Sequence, residues 1–217
     1  MILNKTSGEI DMRDTMYPSS AFHANNEDFN SPELGTVYGF VLSGHVELPD
    51  GNKARTGQYF CYWSKDGSLF KTVGEAVFFV RHGFKGQNTI GGPIEGSGRL
   101  CYIDSCSDSL LIYPPRMGDA SLNVLYFPTG INQTYHIHPS IRFGVVASGR
   151  GISCVQRDGK EVEVALETGM MFCIEERELH RFRTDDSKMV VIAFHPDGDW
   201  GPTDHNHTML NRTYVTK

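Results

Sequence analysis

The chain has no surplus of positive charge, no long apolar run and no paired cysteine motif, and each absence removes a class of protein. Its formal net charge is −6, and no stretch clusters Lys with Arg. Neutralising phosphates requires such clusters, so nucleic acid is not an expected partner. No apolar run approaches the roughly 20 residues of a membrane-spanning helix. The opening MILNKTSGEI lacks the charged-then-apolar order of a secretory leader. A soluble, intracellular (cytoplasmic) protein is the expectation. The five cysteines, Cys61, Cys101, Cys106, Cys154 and Cys173, are scattered and odd in number. That suits buried thiols in a reducing compartment better than a disulfide frame. Cys101 and Cys106 are too far apart for a CxxC pair, and no second pair would complete a zinc site. Without a leader, the Asn-x-Thr triplets at Asn4, Asn132, Asn206 and Asn211 carry little meaning.

Apolar residues at helical spacing are also missing. Short β-like runs fill the chain instead: TVYGFVLSG, QYFCYW, AVFFVRH, LNVLYF, RFGVVASG, ISCVQR, EVEVAL and KMVVIAF. RDGK between two of them is a hairpin signal, because Asp-Gly tolerates the positive φ angles of a tight turn. The spacing predicts an all-β barrel or sandwich.

The runs repeat. YGFVLSG (Tyr38 to Gly44) resembles FGVVASG (Phe143 to Gly149), and an Asp-Gly turn follows each, at Asp50-Gly51 and Asp158-Gly159. Each turn leads to Thr-Gly-x-x-Phe-Cys, TGQYFC at Thr56 and TGMMFC at Thr168. The second copy's hairpin is seven residues longer, and SLF at Ser68 then falls opposite HRF at His180. Four matches in order predict a duplicated β-unit. Two lobes are expected, residues 1–115 and 116–217, joined near LIYPPRMGDASLN.

The duplication doubles as an internal control. His136 aligns with Ser31, His138 with Glu33 and His180 with Ser68. The scaffold recurs in both halves, while the three histidines occur together only in the second. Along an extended strand His136 and His138 point the same way, and His180 follows the next hairpin. Three neutral imidazoles can hold a first-row divalent ion and leave coordination positions open. The expected metal ligands are His136, His138 and His180. The first lobe is expected to have none, with His23 and His82 structural.

These motifs resemble the cupin superfamily. Its first motif reads Gly-x5-His-x-His-x3-4-Glu-x6-Gly, and GINQTYHIHPSIRFGVVASG supplies Gly130, His136, His138 and Gly149, with Arg142 at the glutamate's place. The second motif, Gly-x5-Pro-x-Gly-x2-His, is met by Gly169 and His180, while Glu175 and Arg177 replace its proline and glycine. The resemblance implies a double-stranded β-helix (jelly roll) in a bicupin arrangement. HIHPSIRF is also similar to the gentisate and salicylate 1,2-dioxygenases, three-histidine iron enzymes in which Arg-Phe follows His-x-His. Those chains are much longer, and their second motif has a Trp-His pair that ELHRF lacks. The resemblance implies Fe(II), with Mn, Ni and Zn as alternatives, and O2 as a co-substrate.

Without the glutamate the ion keeps its whole charge, which favours a small anionic chelating substrate such as a hydroxy-carboxylate, enediol or phenolate. Arg142 is the candidate catalytic residue, placed to meet a substrate carboxylate or else to pair with a nearby acid. Glu178, beside Glu175 and Glu176, is a lesser candidate for ligation or acid–base work. His195 ends an apolar strand and either lines the cavity or caps it. Asp204, His205 and His207 sit in a Gly/Pro-rich tail, where an exposed segment is expected over a second metal site. Tyr126, Tyr135, Phe143, Met171 and Phe172 are core candidates. Two other classes compete with a dioxygenase: a metal-dependent isomerase, epimerase or lyase, and a non-catalytic binding cupin. A serine hydrolase lacks its Gly-x-Ser-x-Gly elbow here. A homodimer is expected from the need of sheet edges for cover.

Overall fold

A computed structural model describes residues 3–5, 8–198, 200–211 and 213–216, with the backbone alone at 3–5. The triplets at Asn4 and Asn211 include residues outside that set. The described chain is all β apart from one short 3-10 turn at Ile103–Ser105. It opens with β1 (Leu3–Lys5), β2 (Gly8–Met12), β3 (Ser19–Asn25) and β4 (Phe29–Asn30). The first hairpin system follows: β5 (Leu34–Glu47), β6 (Lys53–Arg55), β7 (Tyr59–Lys65), β8 (Leu69–His82) and β9 (Thr89–Gly91). The second half has β10 (Leu100–Cys101), β11 (Ser107–Ile112), β12 (Ser121–Phe127), β13 (Arg142–Arg157) and β14 (Lys160–Glu167). It ends with β15 (Met171–Ile174), β16 (His180–Arg183) and β17 (Met189–His195).

Two antiparallel sheets result. One runs β2-β3-β8-β5-β7-β9 and the other β1-β15-β13-β17-β12-β11-β10. The long strands β5 and β13 are the centres of the two copies, and each slips register at the same place, between Val41 and Ser43 and between Val146 and Ser148. Such a bulge bends a strand, and past Gly149 β13 leaves β17 for new partners, β14 and β16.

The repeated sequence now has a physical reading. Gly39 pairs with Phe60, and Gly144 with Phe172. A Cβ on either glycine would stand only 2.1 or 2.3 Å from its phenylalanine ring. Each ring therefore lies across the bare backbone of its partner strand, which explains why Gly and Phe-Cys recur together. The cysteines next to them, Cys61 and Cys173, point the other way and help join the lobes.

That junction is a shared apolar core. Tyr38, Phe79 and Ile10 of one sheet pack with Phe143, Leu122 and Phe194 of the other. Phe79 and Phe194, matching positions of the two copies, stack with centroids 5.6 Å apart. Each lobe has a second core of its own, around Phe60, Phe70 and Phe78 in the first and Phe127, Phe172 and Phe182 in the second.

Leu100–Ile112 already belongs to the second sheet, because β11 pairs along β12. The crossover lies between β9 and β10. In addition, β1 pairs with β15, so the start of the chain closes an edge of the second sheet. Pairing along an otherwise open strand outweighs proximity in sequence.

Candidate metal centre

His136 and His138 lie in the segment leading into β13 and not within a regular strand, so the strand-parity argument does not place them. A two-residue bridge does. The His136 N–H donates to the His180 carbonyl at 2.9 Å, and the His180 N–H donates back at 3.0 Å. The first lobe keeps half of this bridge, with Ser31 N–H donating to Ser68 O at 2.9 Å. Backbone geometry thus supports the alignment of His136 with Ser31 and His180 with Ser68. His138 is anchored separately, its carbonyl accepting from the Arg177 N–H at 2.8 Å. Arg177 stands where the cupin motif has glycine, and it adopts the glycine-like φ of 57°. The turn survives the substitution, with the strain of a side chain in the left-handed region.

The three rings converge. Their ligand nitrogens lie within 4.8 Å of one another. Ring centroids are 4.4 Å apart for His136 and His180, 5.0 Å for His138 and His180, and 5.2 Å for His136 and His138. His180 Nδ1 lies 2.8 Å from the Glu178 carbonyl, and His136 Nδ1 lies 2.9 Å from the Thr134 carbonyl. Each contact puts the proton on Nδ1 and leaves the Nε2 lone pair facing its neighbours, the usual way to orient a metal-binding imidazole. His180 Nε2 is fully buried and has no hydrogen-bond partner. A buried unpaired acceptor is costly, and an ion shared with His136 and His138 would satisfy it. The residues fit a divalent metal.

Burial favours the neutral form of His138 and His180. Burial, and then the positive charge of Arg142, push His138 down to about 3. Burial likewise pushes His180 down to about 4. Neutral imidazole is the form that ligates.

Beside the rings lies a small cavity of about 70 Å³. Gly144 and Ala193, which pair across β13 and β17, both line it. Arg142 lines it, and its Nη1 donates to Ile141 O at 2.9 Å, to Ser140 Oγ and to Asp197 Oδ1 at 3.1 Å. Both partners of the Arg142–Asp197 ion pair are nearly buried, at 11% and 9% side-chain exposure. Arg142 therefore has the acid partner that sequence left open, and it still borders the cavity. His195 lines the same wall, and burial holds its pKa well below the ordinary value.

The remaining candidates separate. Glu178 is not in the three-histidine group: its carboxylate accepts from the Glu175 N–H at 3.2 Å and lies 4.0 Å from Arg157. Its part is played by its backbone carbonyl, which orients His180. Asp204, His205 and His207 do not form a convergent donor group among the described residues, and Asp204 and His205 are exposed. A second group, Cys154, Glu161 and Glu163, does converge, but Arg181 pairs with Glu161 at 2.9 Å and Arg183 with Glu163 at 2.7 Å. Tyr126, Phe143, Met171 and Phe172 are buried as expected, while Tyr135 is half-buried and bonded to Glu161. In the first lobe His23 pairs with Glu75 at 2.7 Å and His82 with Ser20 at 3.0 Å. Sequence reasoning missed Asp108, Asn123 and Tyr102 on the cavity wall and Asp197 behind Arg142.

No family model matches the chain, and no curated protein does either. Solved structures do. The putative glyoxylate induced protein from Pseudomonas aeruginosa is 14% identical with a TM-score of 0.64, over 93% of this chain and 82% of that one. A cupin 2 conserved barrel domain protein from Leptotrichia buccalis gives 13% and 0.55, over 89% and 88%. Bacillus subtilis oxalate decarboxylase, a protein with Mn(II) centres, gives 10% and 0.56, over 92% and 76%. These likenesses carry fold alone. The class they define with the topology is an all-β cupin fold in a two-lobed, bicupin-like arrangement. Within it, this chain has a three-histidine group able to hold a metal in its second lobe.

Proposed function

We propose that the chain is a metal-dependent enzyme, a three-histidine Fe(II) dioxygenase that cleaves a carbon–carbon bond in a small anionic chelating substrate. One observation carries the reading: three imidazoles converge beside a small cavity that an arginine lines. A ferrous ion held by His136, His138 and His180 would supply Lewis acidity and one-electron chemistry toward O2. The chain's own groups do the rest. Arg142, fixed by Asp197 and Ser140, binds and orients a substrate carboxylate. Phe127, Phe172, Ile174 and Phe182 line the cavity and exclude water. The dioxygenase likeness rests on the motif around Arg142, and the metal reading rests on the geometry.

A second reading, a metal-dependent isomerase or lyase, draws on His195. A neutral imidazole on the cavity wall can move a proton without a redox step. Elemental analysis of untagged protein and oxygen-electrode assays of the Fe(II)-loaded form decide between them. Oxygen uptake with hydroxy-carboxylates or phenolic acids supports the first. Turnover without oxygen, with Mn or Zn in place of iron, refutes it in favour of the second.

A further inference from the structure

The duplicated fold shows which cavity residues the scaffold does not need. Strand pairing sets the equivalences. Gly39 opposes Phe78 in the first lobe, and Gly144 opposes Ala193 in the second. Phe78 opposes Phe22, and Ala193 opposes Asn123. One step before Tyr38 and Phe143 stand Val37 and Arg142, and one step after Phe79 and Phe194 stand Val80 and His195. So where the second lobe has Arg142, His195, Asn123 and the small Ala193, the first has Val37, Val80, Phe22 and Phe78.

In the first lobe the phenylalanines close the space. Phe22 stacks on Phe29 at 5.3 Å, and Phe29 stacks on Phe78 at 4.5 Å. A cupin lobe of this chain is therefore stable with an apolar, filled interior. The polar set in the other lobe answers to something besides folding.

Part of that set is committed to no protein partner. Asn123 Nδ2 donates to Asp108 Oδ2 at 3.3 Å, which fixes the amide's orientation and turns Oδ1 away from the carboxylate. Asn123 Oδ1 is buried and has no hydrogen-bond partner. Both residues line the cavity, and Asp108 reaches it from β11, diagonally across from Asn123 on β12. Burial raises the Asp108 carboxyl above its ordinary value. The wall thus offers hydrogen-bond acceptors, whereas Arg142 on β13, two strands from β12, offers donors only.

We infer that Asn123 and Asp108 form a substrate-recognising subsite for a hydrogen-bond donor, so that the ligand is a small carboxylate bearing a hydroxyl or ammonium group. Its carboxylate faces Arg142 and its donor group seats on Asn123 Oδ1 and Asp108. This deepens the proposed function by naming the substrate class, and it rests on that reading for the carboxylate end alone. A site built to pair a substrate O–H or N–H rejects the analogue that lacks it, because the buried acceptor is then left unpaired.

Lactate, alanine and propionate test this, since they share three carbons and differ in carrying a hydroxyl, an ammonium or neither. Binding is followed by NMR titration on metal-free and Zn(II)-loaded protein, with Zn(II) affinity measured beside it. Lactate or alanine is expected to bind about tenfold more tightly than propionate, a single buried hydrogen bond's effect. Asn123→Leu is expected to collapse that ratio towards one, leaving propionate and Zn(II) binding unchanged. Asp108→Asn separates the donors, weakening alanine more than lactate if an ammonium is preferred, and it serves alone should the Leu variant not fold. Equal binding of the three acids, no binding of any, or a ratio untouched by both variants overturns the inference. A donor preference retained in protein that takes up no Zn(II) would instead overturn the metal reading and leave the subsite standing.

Discussion

Acidifying the metal-free protein should unfold it through the histidines of the second lobe, well before its carboxylates titrate. His180 is fully buried, and its pKa falls from 6.5 to about 4 because burial penalises the imidazolium. The sign follows from proton counting. Between pH 4 and 6.5 the unfolded chain binds a proton at this position and the folded chain does not, so stability rises with pH across that window. The contribution is complete above pH 6.5 and lost by about pH 4. At about 1.4 kcal/mol per pH unit, His180 alone accounts for roughly 3 kcal/mol. His138, lowered to about 3, adds in the same direction, although its charge and that of His180 are coupled. Urea unfolding of the chelator-treated protein at steps from pH 7 to pH 4.5 measures the slope. His180→Gln, which cannot titrate, should flatten it. Saturating Zn(II) should raise stability at pH 7 by about 3 kcal/mol at a hundredfold excess over its dissociation constant. A slope that is equal in wild type and variant, or stability that increases towards acid, would refute the placement of neutral rings in a buried cluster.

Arg177→Gly removes a side chain from a φ of 57° while keeping the N–H that holds the His138 carbonyl; it should stabilise the protein by about 1 kcal/mol in urea unfolding, without loss of metal affinity. Asp197→Asn leaves the Arg142 charge without its acid partner beside three cation-binding rings. It should cost about 3–5 kcal/mol of stability and weaken Zn(II) binding, the second effect shrinking as salt is added; unchanged Zn(II) affinity would mean that Arg142 does not act on the ion. Ala193→Phe copies Phe78 into the metal lobe and should abolish small-acid binding, at an overpacking cost of about 1–3 kcal/mol. Retained acid binding would show that the ligand does not use the hollow between Gly144 and Ala193.

Much of this was legible in sequence because the duplication carries its own punctuation. Gly39 with Phe60 and Gly144 with Phe172 are pairs that sterics enforce, so their recurrence reported the fold as well as the repeat. The histidine triad was legible for the opposite reason, since nothing in the scaffold demands it. The polar wall was not read. Asn123 and Asp108 lie upstream of the first matched strand, on β12 and β11, where no glycine or Asp-Gly turn marks the register. Counting outward from the matched segments sets Phe22 against Phe127 and Phe78 against Val190; only the strand pairing aligns them with Asn123 and Ala193. Asp197 was hidden because it follows the last strand, and its link to Arg142 spans 55 positions. The strand exchange of β1 left no signal, because edge pairing depends on which strand stands open once the sheets have formed.

The two lobes show how one scaffold divides its labour. In each, the face of the central sheet turned towards the other lobe is apolar; the matching Phe79 and Phe194 stack there, and Tyr38 packs tilted against Phe194 at 5.0 Å. The opposite face is where the copies part. Phe78 fills the first lobe's interior, and its counterpart Ala193 leaves the second hollow. A hollow removes packing contacts, which is destabilising unless something returns them. The filled lobe compensates by presenting a rigid apolar sheet against the far side of the very strands, β13 and β17, that border the cavity. Loss of the first lobe would thus expose Phe143 and Phe194 and loosen Arg142 and His195, their immediate neighbours in sequence. The first lobe thus acts on the site as a support, fixing from behind the strands that carry Arg142 and His195.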